Sequence, residues 1–346
     1  MDKEAIINYI ESSFIKDILI EKDITDISYN GKDIYFATNL KGREKSGVEI
    51  SQNEAKDFLR QIANMSEKQF NYLNPILDIN IGKYRLNAIN NSVGRVLEDG
   101  VVTFSLRIAS LEAKISHDEK FMSKEVEDLL DSFIINHRSI VIAGVPGTGK
   151  TELQKYLISR IKSQERILII DETIELSMLQ SRLDHDITVW QADDKNKESN
   201  VSSLIKNGLR NNPDWMIISE ARGEEMNDIL TSAMTGIPII TTIHSYDAFT
   251  APNRMAKMIM LSEKKMGYED VMMNIKEHFN VFIYLKKVET KKGEIKRFIS
   301  SIVIIDGDMS LKEIFNDDLP MVLCKTCSKP LYKNALQSNK NKVKSK

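Results

Sequence analysis

The residues GVPGTGKT, Gly144 through Thr151, follow the spacing G-x-x-x-x-G-K-[ST] of a phosphate-binding loop. That spacing has a physical basis. Small residues let successive backbone N–H groups turn inward around an anion. Lys150 supplies a point charge for the β- and γ-phosphates, and Thr151 a hydroxyl for Mg²⁺. The flanks fit the same reading. SIVIAG (139–144) is a short apolar, β-branched run that predicts a buried strand. TELQKYLISRI (151–161) has apolar residues at helical spacing. A helix N-terminus following the loop favours phosphate in its own right. The candidate nucleotide cradle is therefore Gly144, Val145, Pro146, Gly147, Thr148, Gly149, Lys150, Thr151 and Glu152.

From Ser123 onward the pattern alternates. A helix at 123–136 precedes the loop strand. Strands are expected at 166–171, 187–190, 215–219 and 238–244, with helices at 200–210 and 223–234. Such alternation implies a parallel sheet covered on both faces. The first 110 residues read differently. Apolar positions between 4 and 20 predict one amphipathic helix. ITDISYNGKDIYFAT (24–38) predicts a hairpin with a type I′ turn at Asn30-Gly31. Ser51 and Glu54 have capping-box spacing, Gly82 centres a second hairpin (77–89), and 101–109 is a strand. The expected division is an α+β domain over 1–110, a linker over 111–122, the P-loop domain over 123–312 and a tail over 313–346.

Composition removes some alternatives. The 346 residues carry a net charge of −2, which offers no strong field for nucleic acid. No apolar run reaches the roughly 18 residues of a membrane span. The N-terminal stretch MDKEAIINYIESSF is interspersed with charge and shows no signal-peptide pattern. Two cysteines exclude a disulfide framework. A cytoplasmic protein is expected. No N-K-x-D follows the loop to support guanine selectivity, and no LSGGQ-like segment supports an ABC-type reading.

Hydrolysis requires more than a cradle, and strand ends supply the candidates. ILIIDE ends in Asp171 and Glu172, WMIISE in Glu220 and TTIH in His244. Glu220 fits a Walker B carboxylate that holds Mg²⁺ through water, making Thr151 and Glu220 the candidate metal groups. Asp171 or Glu172 could orient the attacking water. Capping of the next helix is the plainer role for each carboxylate. His244 could sense the γ-phosphate or serve only the fold.

GLRNNPDWMIISEARGEEMNDILTSAMTGIPIITTIHS (208–245) resembles the Walker B and His-box block of the secretion traffic ATPases of type II and type IV systems. The similarity covers about residues 15–285 and is greatest to the VirB/Cpa-type ATPases of conjugation and pilus assembly. It rests on Arg210, Pro213, Asp214, Glu220, Arg222, Gly223, Thr235, Gly236, Thr242 and His244. The family's Asp box corresponds to Asp171–Glu175, with the order of the first pair exchanged, and Ser219 stands where the family usually has Gly. The resemblance implies a RecA-like P-loop NTPase domain behind a smaller α+β domain. It also implies ATP and Mg²⁺ as cofactors, a homohexamer, and inner-membrane components of a secretion or pilus machine as partners at the cytoplasmic face. Glu220, His244 and Arg222 would join the Asp-box carboxylates in catalysis, and Arg85 and Arg107 align with arginines that reach the nucleotide. Surface salt bridges are the plainer role for those two. A RecA-like translocase acting on DNA is the alternative, for which only the lysine-rich tail beyond 329 offers a basic track. Sequence-specific nucleic-acid binding is not expected. Cys324 and Cys327 are half a zinc site, which could be completed between subunits, act in redox chemistry or hold nothing.

Overall fold

The computed structural model describes residues 2–317 apart from 22, 110–114, 116–119, 174, 182, 195, 263–265 and 291–293. Cys324, Cys327, the lysine-rich tail and most of the expected linker lie outside the described residues. Contacts divide the chain into two units.

The first unit comprises residues 1–112, 173–175 and 288–296. It holds helices α1 (Lys3–Glu11), α2 (Lys16–Leu19) and α3 (Gln52–Met65) and strands β1 (Ile24–Tyr29), β2 (Ile34–Thr38), β3 (Arg43–Lys45), β4 (Ile76–Ile81), β5 (Tyr84–Ile89), β6 (Arg95–Val96), β7 (Asp99–Gly100) and β8 (Thr103–Ile108). Six strands form one sheet in the order β3-β2-β1-β8-β5-β4. Helix α3 starts with a complete capping box. Ser51 accepts from Glu54 N–H, and Glu54 accepts from Ser51 N–H at 2.8 Å. Its buried face is Ala55, Phe58, Leu59, Ile62 and Ala63, each large side chain contributing about 1.5–3 kcal/mol of burial.

Two local expectations need correction. The single helix over 4–20 is two helices, because Ser12 and Ser13 hydroxyls bond back to Asn8 and Ile10 carbonyls at 2.7 Å and end the first. The first hairpin has no two-residue type I′ turn. Tyr29 pairs with Ile34, leaving 30–33 as the loop, and the Asn30 side chain accepts from Lys32 and Asp33 N–H. Only Gly31 of that dipeptide has positive φ, at 96°.

The second unit comprises residues 113–172, 176–287 and 297–346. Its elements are α4 (Lys124–Ile135), β9 (Ile140–Ala143), α5 (Lys150–Ser159), β10 (Ile167–Asp171), β11 (Ile187–Gln191), α6 (Val201–Gly208), β12 (Trp215–Ile218), α7 (Met226–Ala233), β13 (Ile239–Ile243), α8 (Ala251–Ile259), α9 (Tyr268–His278), β14 (Val281–Glu289), β15 (Ile295–Ile305) and β16 (Leu311–Asn316). The sheet order is β11-β10-β12-β13-β9-β14-β15-β16. Strands from β11 to β14 run parallel, and β16 closes the edge antiparallel to β15. Strands β9, β10, β12 and β13 are buried along their whole length, as a sheet covered on both faces requires. Alternation divides their side chains between two cores. Ile142, Ile169, Ile217 and Ile240 pack on one face, and Val141, Leu168, Ile170 and Ile218 on the other. At the end of this sheet where β12 begins, Trp215 is fully buried and donates to Glu165 at 2.8 Å, while the His137 ring stacks on it with centroids 5.5 Å apart.

Strands β14 to β16 and helices α8 and α9 were not anticipated from the sequence. The division into units is also interleaved rather than continuous. Residues 288–296 cluster with the first unit, where Ile295 N–H donates to Leu40 O at 2.8 Å.

Candidate nucleotide site at the strand ends

Strand β9 ends at Ala143 and the chain turns at once into the P-loop. Gly147 and Gly149 have φ of 76° and 97°, a region that costs glycine nothing. At Gly144 a Cβ would stand 2.6 Å from Thr148 Oγ1, so the loop closes only around glycine. Thr148 is fully buried and its hydroxyl donates to Val145 O at 2.9 Å. Gly149 caps α5 without a side-chain hydrogen bond, which leaves first-turn N–H groups for an anion. Thr151 lies in that first turn. Glu152 pairs with the buried Lys155 at 2.8 Å.

Lys150, His244, Glu220, Arg222 and Glu172 meet in one chain of contacts. Lys150 Nζ donates to Gly144 O at 3.0 Å and stands 3.3 Å from His244 Nδ1. His244 Nε2 lies 2.7 Å from Glu220 Oε1. Glu220 Oε2 accepts from Arg222 Nε at 2.8 Å, and Arg222 Nη1 donates to Glu172 Oε2 at 2.7 Å. Strand order explains the sequence of contacts: Glu172 follows β10, Glu220 follows β12, His244 follows β13 and Lys150 follows β9, and these strands are successive neighbours. His244 Nδ1 stands between an ammonium that can only donate, Lys150 at 3.3 Å, and a carbonyl that can only accept, Gly144 O at 3.1 Å, so the ring meets the loop through either protonation of Nδ1.

Asp171 behaves differently from Glu172. It is 1 % exposed, and its carboxylate accepts from Leu176 N–H at 2.9 Å, fixing the chain after β10. Burial raises the Glu172 carboxyl above its ordinary value, more than Arg222 lowers it, with Asp194, Glu220 and Glu225 adding to the rise. Burial opposes the Arg222 charge, yet Glu220 and then Glu172 outweigh it and hold the guanidinium above its ordinary value. Arg222 and Gly223 N–H groups both donate to Glu225, which fixes the backbone of this turn.

Arg85 and Arg107 belong to the first unit and stand directly opposite one another on β5 and β8. Arg107 Nε is 3.5 Å from Glu175, and Arg85 Nε is 4.0 Å from Asp78. Among the described residues no cluster of His, Cys, Asp and Glu could hold a metal ion by itself. The sequence reading missed Arg297, whose Nε donates to Gly147 O at 2.7 Å from β15. Its strand lies beyond the last motif, although the β-branched apolar run FISSIVII marks it as a strand.

The family model for type II/IV secretion system proteins matches residues 93–343. The chain belongs to that family. An uncharacterized protein of Bacillus anthracis is 29% identical over 321 residues, covering 87% of this chain and 70% of its own. The type IV secretion system protein VirB11 of Bartonella henselae is 28% identical over 183 residues, 51% of each chain. This chain thus spans about half the length of that VirB11. Among solved structures, the Legionella pneumophila ATPase DotB superposes with a TM-score of 0.63 at 18% identity, covering 83% of this chain and 78% of its own. The pilus retraction motor PilT, with bound ADP, gives 0.57 at 17% identity over 95% and 88%. The secretion-family fold is therefore α/β, a RecA-like P-loop NTPase domain preceded by a smaller α+β domain.

Proposed function

We propose that this chain is an ATPase that hydrolyses ATP to power a membrane-bound type IV secretion, conjugation or pilus-assembly machine. The observation that carries the reading is the continuous contact chain from the P-loop lysine through His244, Glu220 and Arg222 to Glu172. The cradle fits a polyphosphate. Its glycines adopt φ values that a side chain would strain, and the N-terminus of α5 has no side-chain cap. ATP supplies the phosphoanhydride bond and Mg²⁺ neutralises phosphate charge.

The residues divide the remaining work. Backbone N–H groups from Gly147 to Thr151 hold phosphate oxygens, and Lys150 places a positive charge among them. Thr151 and Glu220 are the residues that would hold Mg²⁺, which would supply positive charge beside the phosphates. Glu172, with its raised affinity for a proton, is the group suited to accept one from water, while Asp171 holds the turn that aims it. His244 connects phosphate and carboxylate. Arg85 and Arg107 give the first unit a paired positive charge for reading the γ-phosphate.

The working form is a homohexamer at the cytoplasmic face of a membrane, bound to inner-membrane components. Membership of the type II/IV secretion family and the likeness to a type IV secretion system protein, VirB11, support work beside a secretion machine. No described helix is long and apolar enough to cross a membrane. A net charge of −2 gives no support to a translocase that grips DNA directly. The test combines steady-state ATP hydrolysis with light scattering. The expected results are Mg²⁺-dependent turnover by a six-subunit particle, and Glu220→Gln protein that binds ATP without hydrolysing it. A monomer that fails to hydrolyse ATP in the presence of Mg²⁺ would overturn the reading.

A further inference from the structure

Two more cations approach the P-loop from strands that no motif reaches. Arg297 on β15 donates through Nε to Gly147 O at 2.7 Å. Lys287 on β14 places Nζ 3.9 Å from the position a Cβ on Gly147 would take. Strand β15 also supports the far end of the loop. Ile299 N–H donates to Phe121 O at 3.0 Å, and the Phe121 ring lies 3.5 Å from the Cβ position of Gly149.

Peptide planarity makes the Arg297 contact informative. In a trans peptide the C=O and the following N–H point in opposite directions. Holding Gly147 O on one side therefore turns Thr148 N–H to the other. Gly144 O is held in the same manner by Lys150, which orients Val145 N–H. Pro146 has no N–H, so the cradle lacks one donor and depends more on Gly147, Thr148 and Gly149.

We propose that Arg297 is a positioning residue that sets the phosphate cradle by fixing the Gly147–Thr148 peptide, and that Lys287 adds charge favouring polyphosphate. The ligand class is a nucleoside di- or triphosphate, or pyrophosphate alone. This inference rests on the nucleotide-binding reading above.

The test has an arm without ligand and an arm with it. Hydrogen–deuterium exchange of the 144–149 segment is measured in the nucleotide-free protein. Arg297→Gln is expected to exchange about fivefold faster there, and Lys287→Gln at the native rate. Calorimetry with ADP and with inorganic pyrophosphate follows. Arg297→Gln should weaken both by about tenfold, consistent with loss of a charge-assisted hydrogen bond. Lys287→Gln should weaken both by about threefold near 50 mM salt, with the loss shrinking near 200 mM as screening grows. Arg297→Lys should recover affinity in part but not the slow exchange. Native exchange and native affinity in Arg297→Gln would overturn the proposal. If that variant fails to fold, faster exchange in folded Arg297→Lys supports the positioning role and native exchange overturns it. If the unaltered protein binds neither ADP nor pyrophosphate, the nucleotide reading fails, and the exchange arm still decides the role of Arg297.

Discussion

Glu220 Oε1 and His244 Nε2 lie 2.7 Å apart, at the ends of adjacent parallel strands. The same ring meets the P-loop lysine through its other nitrogen. One imidazole therefore spans the phosphate side and the carboxylate side of the site. His244→Ala should lower turnover by about 10- to 100-fold, roughly 1.4–2.7 kcal/mol of barrier. ADP affinity should change by less than about threefold, since the ring meets the loop at Lys150 Nζ and Gly144 O rather than at the backbone N–H groups that face an anion. Calorimetry beside a steady-state assay checks both, and a large loss of ADP affinity with native turnover would contradict this placement.

Lys150 is the charge nothing else in the loop replaces. Its Nζ bonds Gly144 O, so it is already oriented along the cradle. Lys150→Ala should lower hydrolysis by about a thousandfold or more, about 4 kcal/mol. Turnover equal to that of the native protein would remove the P-loop assignment.

The two Asp-box carboxylates should separate by function. Asp171 is bound to the backbone of Leu176, and Glu172 to Arg222. Glu172→Gln is expected to lose at least about tenfold more turnover than Asp171→Asn. Asp171→Asn should instead lower the melting temperature, because it weakens a buried hydrogen bond. Equal, small kinetic effects in both variants would mean that neither orients water.

The pH dependence carries a sign. Burial raises the Glu172 carboxyl, and Arg222 partly opposes the rise. The acid limb of turnover should therefore lie above the usual carboxylate range, and Arg222→Gln should move it higher still. The linkage to stability runs the same way. A raised folded-state value favours folding fully below the unfolded pKa of about 4.3 and loses that contribution as pH rises through the folded value. Glu172→Gln should melt above the native protein near pH 7.5, with the gap closing toward pH 4. Thermal scans across that range check the sign, and a gap that widens on acidification would reverse it.

Arg85 and Arg107 face one another across β5 and β8. Like charges directly opposed in a sheet destabilise it, and the exposed ion pairs to Glu175 and Asp78 offset only a fraction of a kcal/mol, roughly 0–1. Arg107→Thr should thus raise the unfolding midpoint in urea slightly while lowering turnover at least about tenfold. Normal turnover in this variant would end the case for a sensor arginine there.

The core of the second unit was legible because each strand announces itself twice, by an apolar β-branched run and by a charged or glycine end. Strand β9, for example, runs into Gly144, and β12 into Glu220. Strand order was not legible, since pairing of β12 with β13 rather than with β9 is a tertiary choice that no local pattern encodes. The separate behaviour of Asp171 and Glu172 was hidden for the same reason. They are successive residues at the end of one strand, and the position of Arg222 and the Leu176 amide distinguishes them. The type I′ turn failed because Asn30 uses its side chain to close a longer loop, a competing local bond that the dipeptide does not reveal.

Trp215 sits under His137 at the start of β12, whereas Glu220 follows the end of that strand. The chain has two tryptophans, and this one is fully buried with its indole N–H engaged. Its emission should shift to the red when the sheet opens and change little when a ligand enters the P-loop. The protein thus carries a built-in optical gauge of sheet integrity, read in the same cuvette as the chemistry it does not touch.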